Sequence, residues 1–218
     1  LGFEWLESLL IGAVISSTDA ASVFSVLRSK KLNLRYGTAS ILELESGSND
    51  PWAYMLTVII LSVMKGGATA GGFVVSLLAQ VFFGVGFGAL ISLGAVYLIK
   101  RVRFDAAGFD AIFVTAIAIL SYALPSAVGG NGYLSCYIVG IVLGNTKISG
   151  KTALVHFFDG ITGFTQILLF FLLGLLAFPS QMPSIILPAA AIALFLTFVA
   201  RPAAVTVIMK PFGAKWKQ

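Results

Sequence analysis

Charge is scarce in this sequence. Only 11% of its 218 residues are charged, against about 25% in an ordinary soluble domain. The single cysteine, Cys136, excludes a disulfide framework or a cysteine-based metal site within one chain. The hydrophobic share, in contrast, is 58%. This composition excludes a typical water-soluble core and predicts an all-α, polytopic helical membrane protein.

Seven apolar segments can be drawn, each long enough, at about 1.5 Å per residue, to cross all or most of a bilayer core of about 30 Å. The fifth is short, and nothing between the segments indicates a soluble domain. We therefore expect residues 1–218 to form one transmembrane domain, and the lack of an initiator Met at Leu1 suggests an internal piece of a longer protein. The predicted segments are 3–27, 38–64, 72–99, 108–125, 132–146, 160–178 and 184–209.

The basic residues predict the orientation of these segments. Twelve of the 14 Lys and Arg residues fall on one side if every segment spans the bilayer, and only Lys65 falls on the other. By the positive-inside rule, the loops after residues 27, 99, 146 and 209 are expected in the cytoplasm. Because the basic residues lie in short loops, they predict topology and a lipid bilayer as partner rather than a nucleic-acid surface.

Two pairs of glycines have the GxxxG spacing of membrane helix contacts, namely Gly84 with Gly88 and Gly140 with Gly144. A nucleotide-binding role for these glycines is not favoured because no strand precedes them. His156, the only histidine, falls between the predicted segments five and six, where a structural or interfacial role is favoured over a catalytic one.

Polar residues interrupt the first two segments, at 16–22 (Ser-Ser-Thr-Asp-Ala-Ala-Ser) and at 45–51 (Glu-Ser-Gly-Ser-Asn-Asp-Pro). A charged side chain at the bilayer centre costs roughly 2.5–3.5 kcal/mol on insertion scales, so such groups are expected to be paired or functional. Hydroxyl side chains near residues 16–22 can divert backbone hydrogen bonds, which predicts a broken helix there whose carbonyls could face a cation.

Helix rise brings the polar residues of both segments to a similar depth. Counted from the cytoplasmic boundary, Asp19 lies about 12 Å deep, Asp50 about 18 Å and Glu45 about 10 Å. Helical spacing puts Ser46 with Asp50 on one face, and Glu45 with Asn49 on a neighbouring face. The two interruptions are therefore predicted to meet near the middle of the bilayer.

Arg201 reaches a similar depth in the seventh segment, about 12 Å from the cytoplasmic end. An arginine keeps its proton and needs a buried anion, so we predict a structural ion pair with Glu45. A purely structural set of mutually neutralising charges remains an alternative. Thr18 and Asn49, together with the remaining acids Asp19 and Asp50, however, provide more polar and acidic groups than one structural pair needs.

The two interruptions resemble the monovalent cation:proton antiporters of the NhaP and sodium–proton exchanger type. The residues that carry the resemblance are 17–20 (Ser-Thr-Asp-Ala) and 45–51, with 171–174 and 200–202 (Ala-Arg-Pro) downstream, and within that family they are most similar to the bacterial potassium/proton antiporters called cell volume regulation protein A. The resemblance implies an inverted-repeat fold in the bacterial inner membrane, a homodimer in the full-length protein, and further helices before Leu1 and after Gln218.

The resemblance also implies roles for the polar residues. Asp50 would take either the cation or the proton, Thr18 and Ser46 would coordinate the monovalent cation, and Asp19 and Asn49 would shape the region where broken helices cross. The implied transported ions are K⁺ or Na⁺ and H⁺, with no cofactor and no enzymatic activity.

Two other classes remain as alternatives. An intramembrane aspartyl protease could use Asp19 with Asp50, but such a pair shares a proton between two close carboxylates, whereas Thr18, Ser46 and Asn49 supply neutral groups suited to a hard cation. A cation channel is disfavoured because the sequence has no repeated carbonyl-filter motif.

Overall fold

The computed structural model describes residue 2 and residues 4–18, 38–66, 70–101, 108–148 and 150–212. These ranges are helical apart from short connections and contain no strand, which confirms the all-α class. Their α-helices are α1 (Trp5–Ile15), α2 (Thr38–Met64), α3 (Ala70–Arg101), α4 (Phe109–Ala127), α5 (Gly132–Asn145), α6 (Lys151–Leu176), α7 (Met182–Phe195) and α8 (Arg201–Met209).

Four of the described helical stretches are long and apolar enough to cross a membrane, namely 71–101, 109–127, 151–176 and 179–209. The last of these joins α7 to α8 through a π-helical stretch, Leu196–Ala200. Helices α1 and α5 are apolar but shorter, and α2 has 27 residues, about 40 Å of helix. The chain is an all-α polytopic membrane protein, as its composition predicts.

One helix boundary agrees with the predicted segments and another does not. Helix α1 ends at Ile15 and residues 16–18 are not helical, as expected where the broken helix begins, whereas residues 19–22 lie outside the described ranges. The sixth segment was predicted to start at residue 160, which is wrong: α6 begins at Lys151, after Gly150 with a φ of 70°. His156 therefore lies inside α6, exposed, and not between segments.

The best packed part of the molecule is the group α3, α4 and α5, whose apolar core contains Ala95, Ile117, Val139 and Leu143. Helix α3 approaches α5 closely through glycine. A Cβ atom on Gly84 would lie 2.9 Å from the carbonyl oxygen of Asn131. The predicted helix contact at Gly84 and Gly88 is thus confirmed.

The second predicted glycine contact is wrong for the described part of the chain. A Cβ atom on Gly140 or Gly144 would meet no atom within 4 Å. Both glycines line an open cleft of about 320 Å³ between α4, α5 and α6. Helix α6 has one buried residue, Leu154, and the helical stretches from Pro179 to Met209 have none.

Candidate functional site

Helix α1 ends against α2, and small hydroxyl residues form this end. The Oγ of Ser16 donates to the carbonyl of Ala13 at 2.7 Å, a local bond of the kind that competes with helix continuation. Ser17 and Thr18 follow in non-helical conformation, so their side chains and backbone are available to contact α2.

Asp50 lies half-buried near the middle of α2 and accepts a hydrogen bond from the Oγ of Ser17. The next residue, Pro51, is buried within the helix. Because proline has no backbone N–H, the carbonyl of Gly47 lacks its usual helical donor at this turn. The carboxylate therefore lies where α2 has fewer backbone hydrogen bonds of its own and where the end of α1 approaches.

Thr18, Ser46 and Asn49 meet beside this carboxylate. The Oγ1 of Thr18 donates to the Oγ of Ser46 at 3.1 Å and accepts from the Nδ2 of Asn49 at 2.8 Å. The backbone N–H of Thr18 donates to the Oδ1 of Asn49 at 3.4 Å. Ser46 is 1% exposed. Two segments that are 28 to 33 residues apart in sequence thus form one polar cluster, which we call the α1–α2 cluster (Ser17, Thr18, Ser46, Asn49 and Asp50).

Glu45 extends the α1–α2 cluster along the neighbouring face of α2. Its Oε1 accepts a hydrogen bond from the Nδ2 of Asn49 at 3.1 Å, in agreement with the i to i+4 spacing in the sequence. The side chain of Glu45 is exposed. Asn49 consequently donates to both Glu45 and Thr18, and it clamps the end of α1 to α2.

One predicted site residue, Arg201, is not brought to the α1–α2 cluster, and another cannot be placed. Arg201 is exposed at the start of α8, which packs chiefly against the adjacent stretches of its own chain. The ranges that the structure describes contain no ion pair between Arg201 and Glu45, and this pair stays a prediction. Asp19 lies outside the described residues.

Sequence reasoning missed Ser17 as a site residue, although its hydroxyl donates directly to Asp50. The signal was available, because Ser17 belongs to the hydroxyl-rich interruption that predicted the broken helix. A hydroxyl can either donate a hydrogen bond or present its lone pairs. The α1–α2 cluster therefore combines one carboxylate with neutral oxygen atoms. These oxygen atoms can either form hydrogen bonds or coordinate a cation.

A carboxylate in a helix of a membrane protein, beside the non-helical end of another helix, is an arrangement that ion sites of secondary transporters use. The family described as sodium/hydrogen exchanger, transmembrane, matches residues 1–218, and this chain belongs to that family.

The relatives found include proteins named for potassium and for sodium. The chain is 40% identical over 214 residues to the K⁺/H⁺ antiporter NhaP2 of Shewanella oneidensis, covering 96% of this chain and 36% of that protein. It is 40% identical over 215 residues to the K⁺/H⁺ antiporter NhaP of Alkalimonas amylolytica (97% and 37%). It is 28% identical over 204 residues to the Na⁺/H⁺ antiporter NhaS2 of Synechocystis (89% and 36%). The chain thus spans little more than a third of the length of these relatives.

Proposed function

We propose that this chain carries the ion-binding site of a secondary active antiporter that exchanges K⁺ or Na⁺ for H⁺ across the bacterial inner membrane. The observation that carries the proposal is the meeting of Ser17 and Thr18, at the end of α1, with Asn49 and Asp50 in the middle of α2. Membership of the sodium/hydrogen exchanger family, and the names of the relatives, support the class of reaction.

The proposed mechanism is competition for the carboxylate of Asp50. When the carboxylate is ionised it binds the cation, and when it takes a proton its charge is lost and the cation is released. Exposure of the loaded site alternately to each side of the membrane then makes the exchange obligatory. One carboxylate that holds one or the other ion is sufficient for this scheme.

Neighbouring residues have distinct parts in this mechanism. The hydroxyl of Ser17 donates to Asp50, and rotation about its C–O bond lets its lone pairs face a cation. Thr18 and Ser46 supply further neutral oxygens. Asn49 keeps the end of α1 against α2 through its bonds to Thr18. Carboxylate and hydroxyl oxygens serve K⁺ and Na⁺ alike, so both ions are proposed as substrates.

The remaining parts of the proposal concern the whole transporter. No cofactor is required, because the driving force is the gradient of one of the two ions. The protein is proposed to be a homodimer, with the loops after residues 27, 99, 146 and 209 in the cytoplasm, as the distribution of Lys and Arg predicts.

Asp50→Asn in the full-length protein tests this proposal. The amide can still accept the hydrogen bond of Ser17, and it is cheaper to bury than a carboxylate, so the fold is expected to survive. Cation-dependent proton movement in proteoliposomes, measured separately with K⁺ and Na⁺, is expected to fall to the background of empty vesicles.

Asp159→Asn is the matched control, because it makes the same change at a carboxylate of α6, away from the α1–α2 cluster. This variant is expected to retain exchange. Appreciable exchange in Asp50→Asn rules out the proposed site, and cleavage of a transmembrane peptide by the normal protein would favour the intramembrane protease.

A further inference from the structure

Asn131 is a buried residue that joins three helices. It is 1% exposed and lies immediately before α5. Its backbone N–H donates to the carbonyl of Gln80 in α3 at 3.1 Å. Its side-chain Oδ1 accepts from the N–H of Leu134 at 3.1 Å and caps α5, and its Nδ2 donates to the carbonyl of Pro51 in α2 at 2.9 Å. Its amide side chain therefore makes both a cap and a link to another helix.

The carbonyl held by Asn131 belongs to the residue directly after Asp50. Pro51 has no N–H, so the turn of α2 that ends at Pro51 is not closed onto the carbonyl of Gly47 by the usual backbone bond. Local backbone bonds therefore hold this turn less firmly than an ordinary helical turn. The bond from Asn131 fixes it from outside, through a donor that is 80 residues away in sequence.

A second contact lies at the other end of the polar stretch. The hydroxyl of Tyr137 in α5 donates to the carbonyl of Leu44 at 3.3 Å. Its ring packs so closely on Gly47 that a Cβ atom there would lie 2.8 Å from the Cε2 of Tyr137. Helix α5 and its cap thus hold the two carbonyls, at residues 44 and 51, that flank residues 45–50.

We propose that Asn131 is a positioning residue for ion exchange: its hydrogen bond to Pro51 fixes the turn of α2 that presents Asp50 to Ser17 and Asn49 to Thr18. This inference rests on the proposed function of Asp50. Asn131 itself contacts no transported ion in this proposal. It acts by keeping the carboxylate at the distance at which the hydroxyl of Ser17 reaches it.

Asn131→Ser in the full-length protein separates the two roles of the side chain. Serine is also a good N-cap, so α5 keeps its first turn, but its hydroxyl is too short to reach the carbonyl of Pro51. We expect the cation concentration for half-maximal exchange to rise by about tenfold, as is typical when one buried hydrogen bond that holds a binding group is lost. The pH profile of exchange is expected to shift, because proton and cation compete for the same displaced carboxylate.

Asn145→Ser is the matched control. Asn145 is the last residue of the same helix, and its Nδ2 donates to the carbonyl of Ile141 within that helix at 2.8 Å. This variant is expected to leave both the half-saturating cation concentration and the pH profile unchanged. Tyr137→Phe is an independent second variant that removes the hydroxyl and keeps the ring, and it is expected to shift both quantities in the same direction by a smaller factor.

Hydrogen–deuterium exchange provides a readout that does not depend on transport. Amides of residues 52–56 are expected to exchange faster in Asn131→Ser than in the normal protein, with residues 57–64 unaffected. A folded Asn131→Ser protein with normal cation dependence overturns the proposal, as does a loss of maximal rate alone with unchanged half-saturation and pH profile. If Asp50→Asn retains exchange, the proposed function fails on its own, while faster amide exchange still establishes that Asn131 holds α2.

Discussion

The packed half of the chain (α1–α5) and the outlying half (α6–α8) are similarly apolar but differently organised. The most apolar 18-residue windows of residues 71–101 and 179–209 have the same mean hydropathy, yet only the first stretch contains buried residues. The difference lies in small and polar side chains: Gly84 lets α5 approach α3, and Asn131 links α5 to α2. Apolarity brings a helix into the bilayer, but these residues select its neighbours.

The polar stretch of α2 lies in the packed half, and its packing explains how polar groups are tolerated there. Ser46 is buried but bonded to Thr18, and the carbonyl of Pro51 is bonded to Asn131. A buried polar group without a partner would cost about 1–3 kcal/mol. The same contacts that satisfy these groups also fix their positions, so stability and the proposed ion binding would depend on one set of hydrogen bonds.

The largest expected effect tests whether Glu45 and Arg201 join the two halves in the full-length protein. Both side chains are exposed in the described part of the chain, so the prediction requires that other parts of the full-length protein bury the pair. Removing one partner of a buried ion pair leaves the other charge unpaired and costs about 3–5 kcal/mol. We therefore expect Glu45→Ala and Arg201→Ala each to lower the Tm in detergent strongly. Glu45→Gln combined with Arg201→Gln is expected to recover much of the loss, because no charge is left alone.

A double-mutant cycle decides between pairing and independence of these two residues. Strictly additive losses mean that Glu45 and Arg201 are not partners. The packed half and the outlying half are then not joined by this ion pair. Asp19 would become the next candidate anion for Arg201. Glu45 would then be free to contribute to ion binding beside Asn49.

Alanine substitution of one apolar side chain in each half compares how tightly the two halves are packed. Met55 in α2 is 1% exposed, so Met55→Ala is expected to destabilise the protein by about 2–5 kcal/mol. Leu187 in α7 is 80% exposed, and Leu187→Ala is expected to change the Tm little. Thermal unfolding of both variants in detergent gives the comparison directly. An equally large loss in Leu187→Ala means that the outlying half packs against other parts of the full-length protein, and the contrast between the halves would disappear.

Features fixed by local chemistry could be predicted from the sequence. The i to i+4 spacing predicted that Glu45 and Asn49 are neighbours, and hydroxyl residues predicted the end of a helix near Ser16. Both depend on residues within about one helical turn. The meeting of Thr18 with Ser46 followed from the predicted depths of two adjacent segments.

Features that depend on which helices pack together could not be predicted in the same way. Gly84 and Gly140 each begin a GxxxG pattern, yet among the described residues only the first lies at a helix contact. The bond from Asn131 to Pro51 joins residues 80 apart in sequence. No local sequence pattern around a single asparagine before a short apolar segment identifies the residue that it contacts. Periodicity orients a helix face, but it does not identify the helix that the face meets.

The smallest expected effect concerns one added methyl group within α3. Gly84→Ala would place a Cβ atom 2.9 Å from the carbonyl oxygen of Asn131, closer than atoms in proteins normally approach. Because this oxygen belongs to backbone, α3 and the segment before α5 must move apart, and overpacking of this kind costs typically about 1–3 kcal/mol. The gain in helix propensity, about 1 kcal/mol, offsets part of this cost, so we expect Gly84→Ala to lower the Tm by less than Met55→Ala.

Gly86→Ala is the control for this change, because Gly86 lies two residues away in the same helix and its Cβ atom would meet nothing within 4 Å. Alanine favours the helix over glycine by about 1 kcal/mol, so Gly86→Ala is expected to leave the Tm unchanged or raise it. Equal Tm values for Gly84→Ala and Gly86→Ala would show that the close approach of α3 to α5 does not stabilise the packed half. Since Asn131 lies at this contact, Gly84→Ala is also expected to raise the half-saturating cation concentration slightly, by displacing the donor to Pro51.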